Sequence, residues 1–175
     1  MNTSPAFHST LGVLQQVKTL VEGLRLADNT TPLFQLVRLY DANDIDRAFV
    51  DTLASRQQRL CFVLPGRITY DRTIDGRTLL LKKRMEFACL ICDTDRKSGQ
   101  EAVFGGDHNQ GTLALSDRLV EGLSGAHLGL HGICIEPSDG DDLSVVKDGE
   151  SDSGRKGWFQ VFSTLAGKKG LSVYS

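Results

Sequence analysis

The alternation of apolar and polar residues from Thr78 to Cys92 predicts one unusually long β-strand. Most odd positions in this segment are apolar, with Lys83 as the exception, and Lys82, Arg84 and Glu86 occupy the other parity. A period of two predicts a strand with one buried face. Fully extended, the segment would span roughly 50 Å, whereas a compact chain of this size has a radius of gyration of about 16 Å. We therefore expect the strand to bend, to bulge or to extend beyond its own domain.

Three other segments have the apolar spacing of three and four residues that is typical of amphipathic helices. The first begins at Ser9 or Thr10, either of which can cap a helix, and reaches Leu24. A second is predicted from Asn43, with apolar residues along one face at Ile45, Phe49, Val50 and Leu53. The third spans Thr112 to Leu123 and is ended by Ser124-Gly125.

The remaining extended segments predict the partners of the long strand. Asp75-Gly76 is a strong hairpin signal that would lead into the long strand, and Pro65-Gly66 is predicted to close the short apolar strand before it. The extended segments are Leu33 to Tyr40, Leu60 to Leu64, Arg67 to Arg72, Leu128 to Ile135 and Trp158 to Leu165. Hairpin-joined strands with segregated helices predict an α+β fold with a mainly antiparallel sheet, a long central hairpin strand and two or three packed helices.

The polar segments predict the domain organisation. We expect a single domain, 1–175, with long loops at 94–110 and 136–156 and loose termini at 1–8 and 167–175. The second loop is strongly acidic, so we expect a solvated charge run there.

Composition excludes several functional classes. A formal net charge of -2 with 40% hydrophobic residues gives no global electrostatic argument for binding nucleic acid or an anionic membrane. No apolar run reaches the length of a membrane span, and Met1 to Pro5 lacks a basic leader, so we expect a protein that is intracellular or is made inside the cell. All four cysteines lie in apolar strand-like runs, which predicts buried reduced thiols. Cys89 and Cys92 would face opposite sides of a strand and could not share a metal without a bulge.

Two short segments contain the residues most typical of catalytic or metal-binding sites. Asp107 and His108 follow Gly105-Gly106, and a His beside an Asp on a glycine loop can act as a base. No nucleophile is tied to them by spacing. Asp139, Asp141 and Asp142 are similar to part of a calcium loop, but the full ligand pattern is missing. The sequence therefore predicts no catalytic residues, no metal and no cofactor.

The order of elements resembles a known family. The segments that carry the resemblance are Arg84-Met-Glu-Phe in the long strand, Leu-Gly-Leu-His-Gly-Ile after the last helix, Ile135-Glu-Pro137, and Trp158-Phe-Gln-Val-Phe near the end. The layout resembles the tail-terminator, or tail-completion, proteins of long-tailed bacteriophages. Members of that family form a ring, commonly a hexamer, that caps the tail tube and faces the head connector, and they carry no active site. The long acidic segment 136–156 departs from that layout.

The resemblance implies a structural protein of the virion, at the neck of the tail, assembled in the host cytoplasm. Its expected partners are further copies of itself, a tail-tube protein and a head-closure or connector protein. DNA would pass through the lumen without sequence-specific contact, and no membrane is expected. The candidate interface residues are Leu79, Leu81, Lys82, Lys83, Arg84, Glu86, Asp107, His108, Asp139, Asp141 and Asp142.

Two alternatives stay open at this stage. The chain could be another neck protein, such as a head-closure or connector component. It could also be a small-ligand module or an enzyme that uses the Gly105 to His108 loop together with the acidic loop.

Overall fold

The computed structural model describes residues 9–40, 58–75, 78–94, 103–106, 110–126, 128, 134–143 and 155–172. In these ranges the elements follow in the order α1 (Thr10–Gly23), β1 (Leu36–Leu39), β2 (Leu60–Asp75), β3 (Thr78–Thr94), α2 (Thr112–Leu123), β4 (Cys134–Leu143) and β5 (Arg155–Ser172). The helix predicted from Asn43 lies outside the described residues.

One five-stranded sheet organises the described part of the chain, in the order β1-β2-β3-β5-β4. Only β1 pairs in parallel, with β2; the other three pairings are antiparallel. The predicted hairpin is present, because Asp75 pairs with Thr78. A mainly antiparallel sheet with two packed helices confirms the predicted α+β fold.

Helix α1 begins and ends where its sequence pattern predicts. The Ser9 hydroxyl accepts a hydrogen bond from the Gly12 amide at 3.0 Å, which caps the first turn. Val13, Leu14, Val17 and Val21 are buried in the main core with Leu115, Leu119 and Leu123 of α2 and the facing side of the sheet. The two helices therefore cover the same face of the sheet.

The long strand is confirmed, and it runs two residues past its predicted end, to Thr94. Its odd positions Met85, Phe87, Cys89 and Ile91 lie in the main core, where Phe87 stacks on Phe162 at 5.3 Å between ring centroids. The prediction of only one buried face is wrong for its C-terminal half. Leu90 and Cys92 are buried in a second cluster with Leu60, Phe62 and Leu64 on the opposite face. Both faces of this half of the strand are therefore excluded from water.

Pro65-Gly66 does not end a strand, contrary to the prediction. β2 continues through it to Asp75 with a bulge, at which Gly66 and Arg67 both lie opposite Glu86. The proline is tolerated because β1 pairs with β2 only as far as Val63, so no ladder bond on that side needs its amide. A Cβ on Gly66 would lie 2.8 Å from the Glu86 carbonyl oxygen, which explains the glycine.

Three other boundaries also differ from the prediction. β1 is shorter than Leu33 to Tyr40, because Leu33 instead bonds Leu24 and is buried next to α1. In the described part, β4 begins at Cys134 rather than Leu128 and takes up the first half of the acidic segment. β5 extends through 167–172, which the sequence assigned to a loose terminus. Backbone pairing with β5 and β3 stabilises these polar and glycine-bearing segments as strands despite their composition.

Candidate assembly interface

Three strands continue past the rest of the sheet and form what we call the arm: residues 68–75 of β2, 78–84 of β3 and 166–172 of β5. Within the described residues, β1 pairs with β2 only up to Val63, and β4 pairs with β5 only up to Leu165. Beyond those positions the ladders between β2, β3 and β5 continue to Asp75, Thr78 and Ser172. Eight residues of β2 in the arm extend it by about 26 Å. Of the three predicted possibilities for the long strand, a bend, a bulge or an extension beyond its domain, the described residues show an extension that is shared with its two neighbours.

Both outer edges of the arm lack a neighbouring strand among the described residues. The edge of β2 from Ile68 to Asp75 contains no proline and pairs continuously with β3 on its other side. The edge of β5 after Leu165 is similar, with glycines at 167 and 170. Strand edges of this kind present a row of backbone donors and acceptors to which another strand can pair.

The arm exposes a row of large apolar side chains on one face. Ile68, Tyr70 and Ile74 of β2 are 38%, 52% and 67% exposed. Their register partners are Met85, Lys83 and Leu79, and Met85 and Lys83 are buried on the α1 side of the sheet. Cross-strand partners in an antiparallel pair share one face. The exposed row therefore lies on the same face of the sheet as α1.

The base of the arm is anchored to α1. The Lys83 ammonium donates to the Thr10 hydroxyl at 2.9 Å, and burial lowers the pKa of this lysine from its ordinary value of 10.5. On the other side of Lys83, β5 bulges, with Ala166 and Gly167 both opposite this residue. Thr164 donates its hydroxyl proton to the Met85 carbonyl at 3.1 Å. These contacts fix the point at which the arm leaves the core.

The structure brings part of the predicted interface set together. Leu79, Leu81, Lys82, Lys83 and Arg84 all lie on β3 within the arm, where Arg84 is exposed and Lys83 is buried. Glu86 lies at the β2 bulge and is half-buried.

The acidic members of the predicted set lie elsewhere. Asp139, Asp141 and Asp142 belong to β4, and Asp142 pairs with Trp158 at the end of β5 that is distant from the arm. They are strand residues, not loop residues as predicted. Asp107 and His108 lie outside the described residues.

Sequence reasoning missed Ile68, Tyr70 and Ile74. These residues alternate with a period of two in the sequence, but the pattern alone does not show on which face of the sheet their side chains lie. The β2 bulge adds one residue, so odd residues such as Cys61 and Val63 face the main core before it and even residues share that face after it.

The alternative site at the glycine loop has one notable contact. Asp93, buried at the end of β3, accepts a hydrogen bond from the Gly111 amide at 2.8 Å just before α2. This bond fixes the end of the loop against the sheet. Within the part of the chain that the structure describes, no three His, Cys, Asp or Glu side chains are arranged to hold a metal ion.

The thiols agree with the sequence prediction wherever their side chains are described. Cys61, Cys89 and Cys92 are buried thiols, and Cys89 and Cys92 lie in the clusters on opposite faces of the sheet. Burial, followed by contact with Cys89, raises the pKa of the Cys61 thiol. The CxxC sequence is therefore a consequence of a strand that is buried on both faces.

Comparison with known proteins adds no family. No protein-family model matches the chain, and no curated protein sequence is significantly similar to it. Neither described helix is long and apolar enough to cross a bilayer.

Proposed function

We propose that this chain is a structural subunit that assembles with further copies of itself into a ring, in the manner of a bacteriophage tail terminator. The observation that carries the proposal is the arm. It extends beyond the core, its outer strand edges have no neighbouring strand among the described residues, and it exposes an apolar row at Ile68, Tyr70 and Ile74. In the proposed ring, a neighbouring subunit covers this surface.

The energetics favour a partner for the arm. A two- or three-stranded ribbon with no second layer is marginal in water, because little of its apolar surface is buried. Transferring these three side chains from water to an interface would contribute roughly 3–5 kcal/mol, at about 25 cal/mol per Å² of apolar area.

A ring would bring the protein into contact with other components of the tail. A contact between two different surfaces of one chain repeats around an axis and closes into a ring if the rotation permits. The proposed ring caps a tail tube, faces the head connector and lets DNA pass through its lumen, so the protein belongs to the neck of the virion. A head-closure or connector subunit of the same neck is the second candidate, since it would use the same arm in a ring with different neighbours.

The first test measures particle mass by light scattering and particle shape by negative-stain electron microscopy. The protein is examined alone and mixed with the tail-tube protein encoded in the same genome. A ring in either sample is the expected result. A monomer in both samples at protein concentrations up to about 100 μM, which is about 100 times a dissociation constant of 1 μM, would overturn the proposal.

A pair of variants assigns the contact to the arm. Tyr70→Ser with Ile74→Ser removes the two most exposed apolar side chains of the row and is expected to give monomers with unchanged secondary structure. Phe104→Ser, which removes a side chain of 69% exposure outside the arm, is the matched control and should assemble as the original chain does. Equal assembly of both variants would exclude the arm as the contact.

A further inference from the structure

The arm carries an excess of positive charge in addition to its apolar row. Its only carboxylates are Asp71 and Asp75, whereas its cationic residues are Arg72, Lys82, Lys83, Arg84, Lys168 and Lys169. Lys83 is buried and bonded to Thr10, so it anchors the arm rather than meeting a partner. Among the remaining cations, Lys82 is in register with Lys168 of β5 on one side and with Asp71 of β2 on the other.

The opposite end of the sheet carries the complementary charge. β4 contains Glu136, Asp139, Asp141 and Asp142 and no cationic residue. Asp142 is in register with Trp158, which precedes Lys168 by ten residues on β5. Ten strand residues span about 33 Å, more than three times the Debye length of about 10 Å at 0.1 M salt. Asp142 therefore cannot neutralise Lys168 within a single molecule, whereas Glu136 pairs with Ser163, two residues from the register partner of Arg84.

The β4 edge can be contacted by a partner, but its backbone does not favour pairing with another strand. It contains Pro137 and a bulge at which Ser138 and Asp139 lie opposite Val161, and both features interrupt a backbone ladder. Glu136 is exposed along this edge. A partner would meet it through charged side chains, which is what the arm supplies.

We infer that the arm of one copy docks on the acidic β4 edge of the next copy, so that the basic and acidic ends alternate around the assembly. This inference rests on the proposed ring and identifies its two contacting surfaces. A two-fold contact between two arms is disfavoured, because it would place like charges together. An arm-to-β4 contact joins two different surfaces and can therefore be repeated by every subunit.

Charge reversal at the two surfaces tests the pairing. Lys168→Glu with Lys169→Glu, and separately Asp141→Lys with Asp142→Lys, should each weaken self-association at least about tenfold in light scattering and native mass spectrometry. The control is Lys18→Glu with Arg118→Glu, which gives the same net charge as the first variant but alters cations of α1 and α2, outside both proposed surfaces. It should assemble as the original chain does. Circular dichroism and thermal melting confirm that each variant is folded.

A rescue experiment makes the test specific. A chain that carries both reversals has an acidic arm and a basic β4 edge, so it should regain at least most of the lost association. An equimolar mixture of the two reversed variants should also associate, because each arm meets an edge of opposite charge. A general effect of net charge would produce no such rescue.

The outcomes separate this inference from the proposed function. If the original chain forms rings that both reversals leave intact, or if the double reversal fails to restore association, the arm-to-β4 contact is wrong while the ring stands. If the original chain is monomeric alone and with the tube protein, both the ring and its contact are overturned.

Discussion

Lys83 is buried, although its place in a run of three cations suggests an exposed side chain. In the sequence it is one of three consecutive cations, yet its side chain is buried under α1 and donates to Thr10. The folded state lowers the pKa of this ammonium group below 10.5 through burial. The unfolded chain therefore binds the proton more tightly than the folded protein does.

The sign of the resulting pH dependence follows from this difference. Stability rises with pH wherever the unfolded state binds more protons, here from the lowered pKa of Lys83 up to 10.5. We expect the free energy of unfolding of the original chain, relative to Lys83→Met, to be greater at pH 10 than at pH 7 in urea titrations. Arg84→Met, which removes an exposed cation next to Lys83, should show no such change. An equal difference at both pH values would contradict the assignment.

Gly111 is required by both its backbone conformation and its surroundings. Its φ of 79° with ψ of 147° is a region that essentially only glycine occupies, and an added Cβ would meet Gly105 and lie 2.6 Å from the Val103 carbonyl oxygen. Gly125 also has a positive φ, of 72°, but nothing lies within 4 Å of its added Cβ. Comparing the two positions separates strain from steric overlap.

We expect Gly111→Ala to reduce the free energy of unfolding by about 3 kcal/mol, and Gly125→Ala by about 1 kcal/mol. The measurement is chemical denaturation followed by circular dichroism. Equal losses would show that the close approach of Gly111 to residues 103–105 contributes nothing.

At the scale of elements, a buried polar junction joins β4, β5 and α2. The side-chain oxygen of Gln160 accepts from Ser116 of α2 and from the Trp158 indole, both at 3.3 Å. Gly140 of β4 packs so closely on this group that an added Cβ would lie 2.8 Å from the Gln160 oxygen and 2.9 Å from the Trp158 ring. The glycine therefore sets how near the acidic edge strand approaches the tryptophan.

Trp158 is the single tryptophan, so intrinsic fluorescence reports on this junction. Gly140→Ala should displace the indole and shift its emission to longer wavelength, with a loss of about 1–3 kcal/mol in stability from overpacking. Gly23→Ala, at the end of α1 with nothing within 4 Å, is the control and should leave the emission unchanged. An unchanged spectrum in Gly140→Ala would mean that β4 adapts without moving Trp158.

At the scale of the whole molecule, the thiols report on global opening. Cys61, Cys89 and Cys92 are fully buried on two faces of one sheet, and burial raises the pKa of Cys61. In a Cys134→Ser background, a thiol reagent should modify these three at one common slow rate, because all three require the sheet to open. Fast modification of one thiol, measured by mass spectrometry, would show that its strand opens separately.

The fold class and most elements followed from local pattern. The cap at Ser9, the apolar stripes of α1 and α2, the hairpin at Asp75 and the alternation of β3 each depend on neighbours within a few residues. Such features are properties of the chain itself, so periodicity identifies them.

Long-range pairing decided the rest. The length of β4 and β5, the passage of β2 through Pro65-Gly66 and the burial of both faces of β3 depend on which strands lie side by side. The same is true of the candidate interface. Local pattern was enough to predict a central strand too long to lie straight within its own domain, and to identify basic and acidic segments. The outward position of Ile68, Tyr70 and Ile74 and the separation of Lys168 from Asp142 depend on tertiary structure, because bulges reset the side-chain phase and strand register places distant residues.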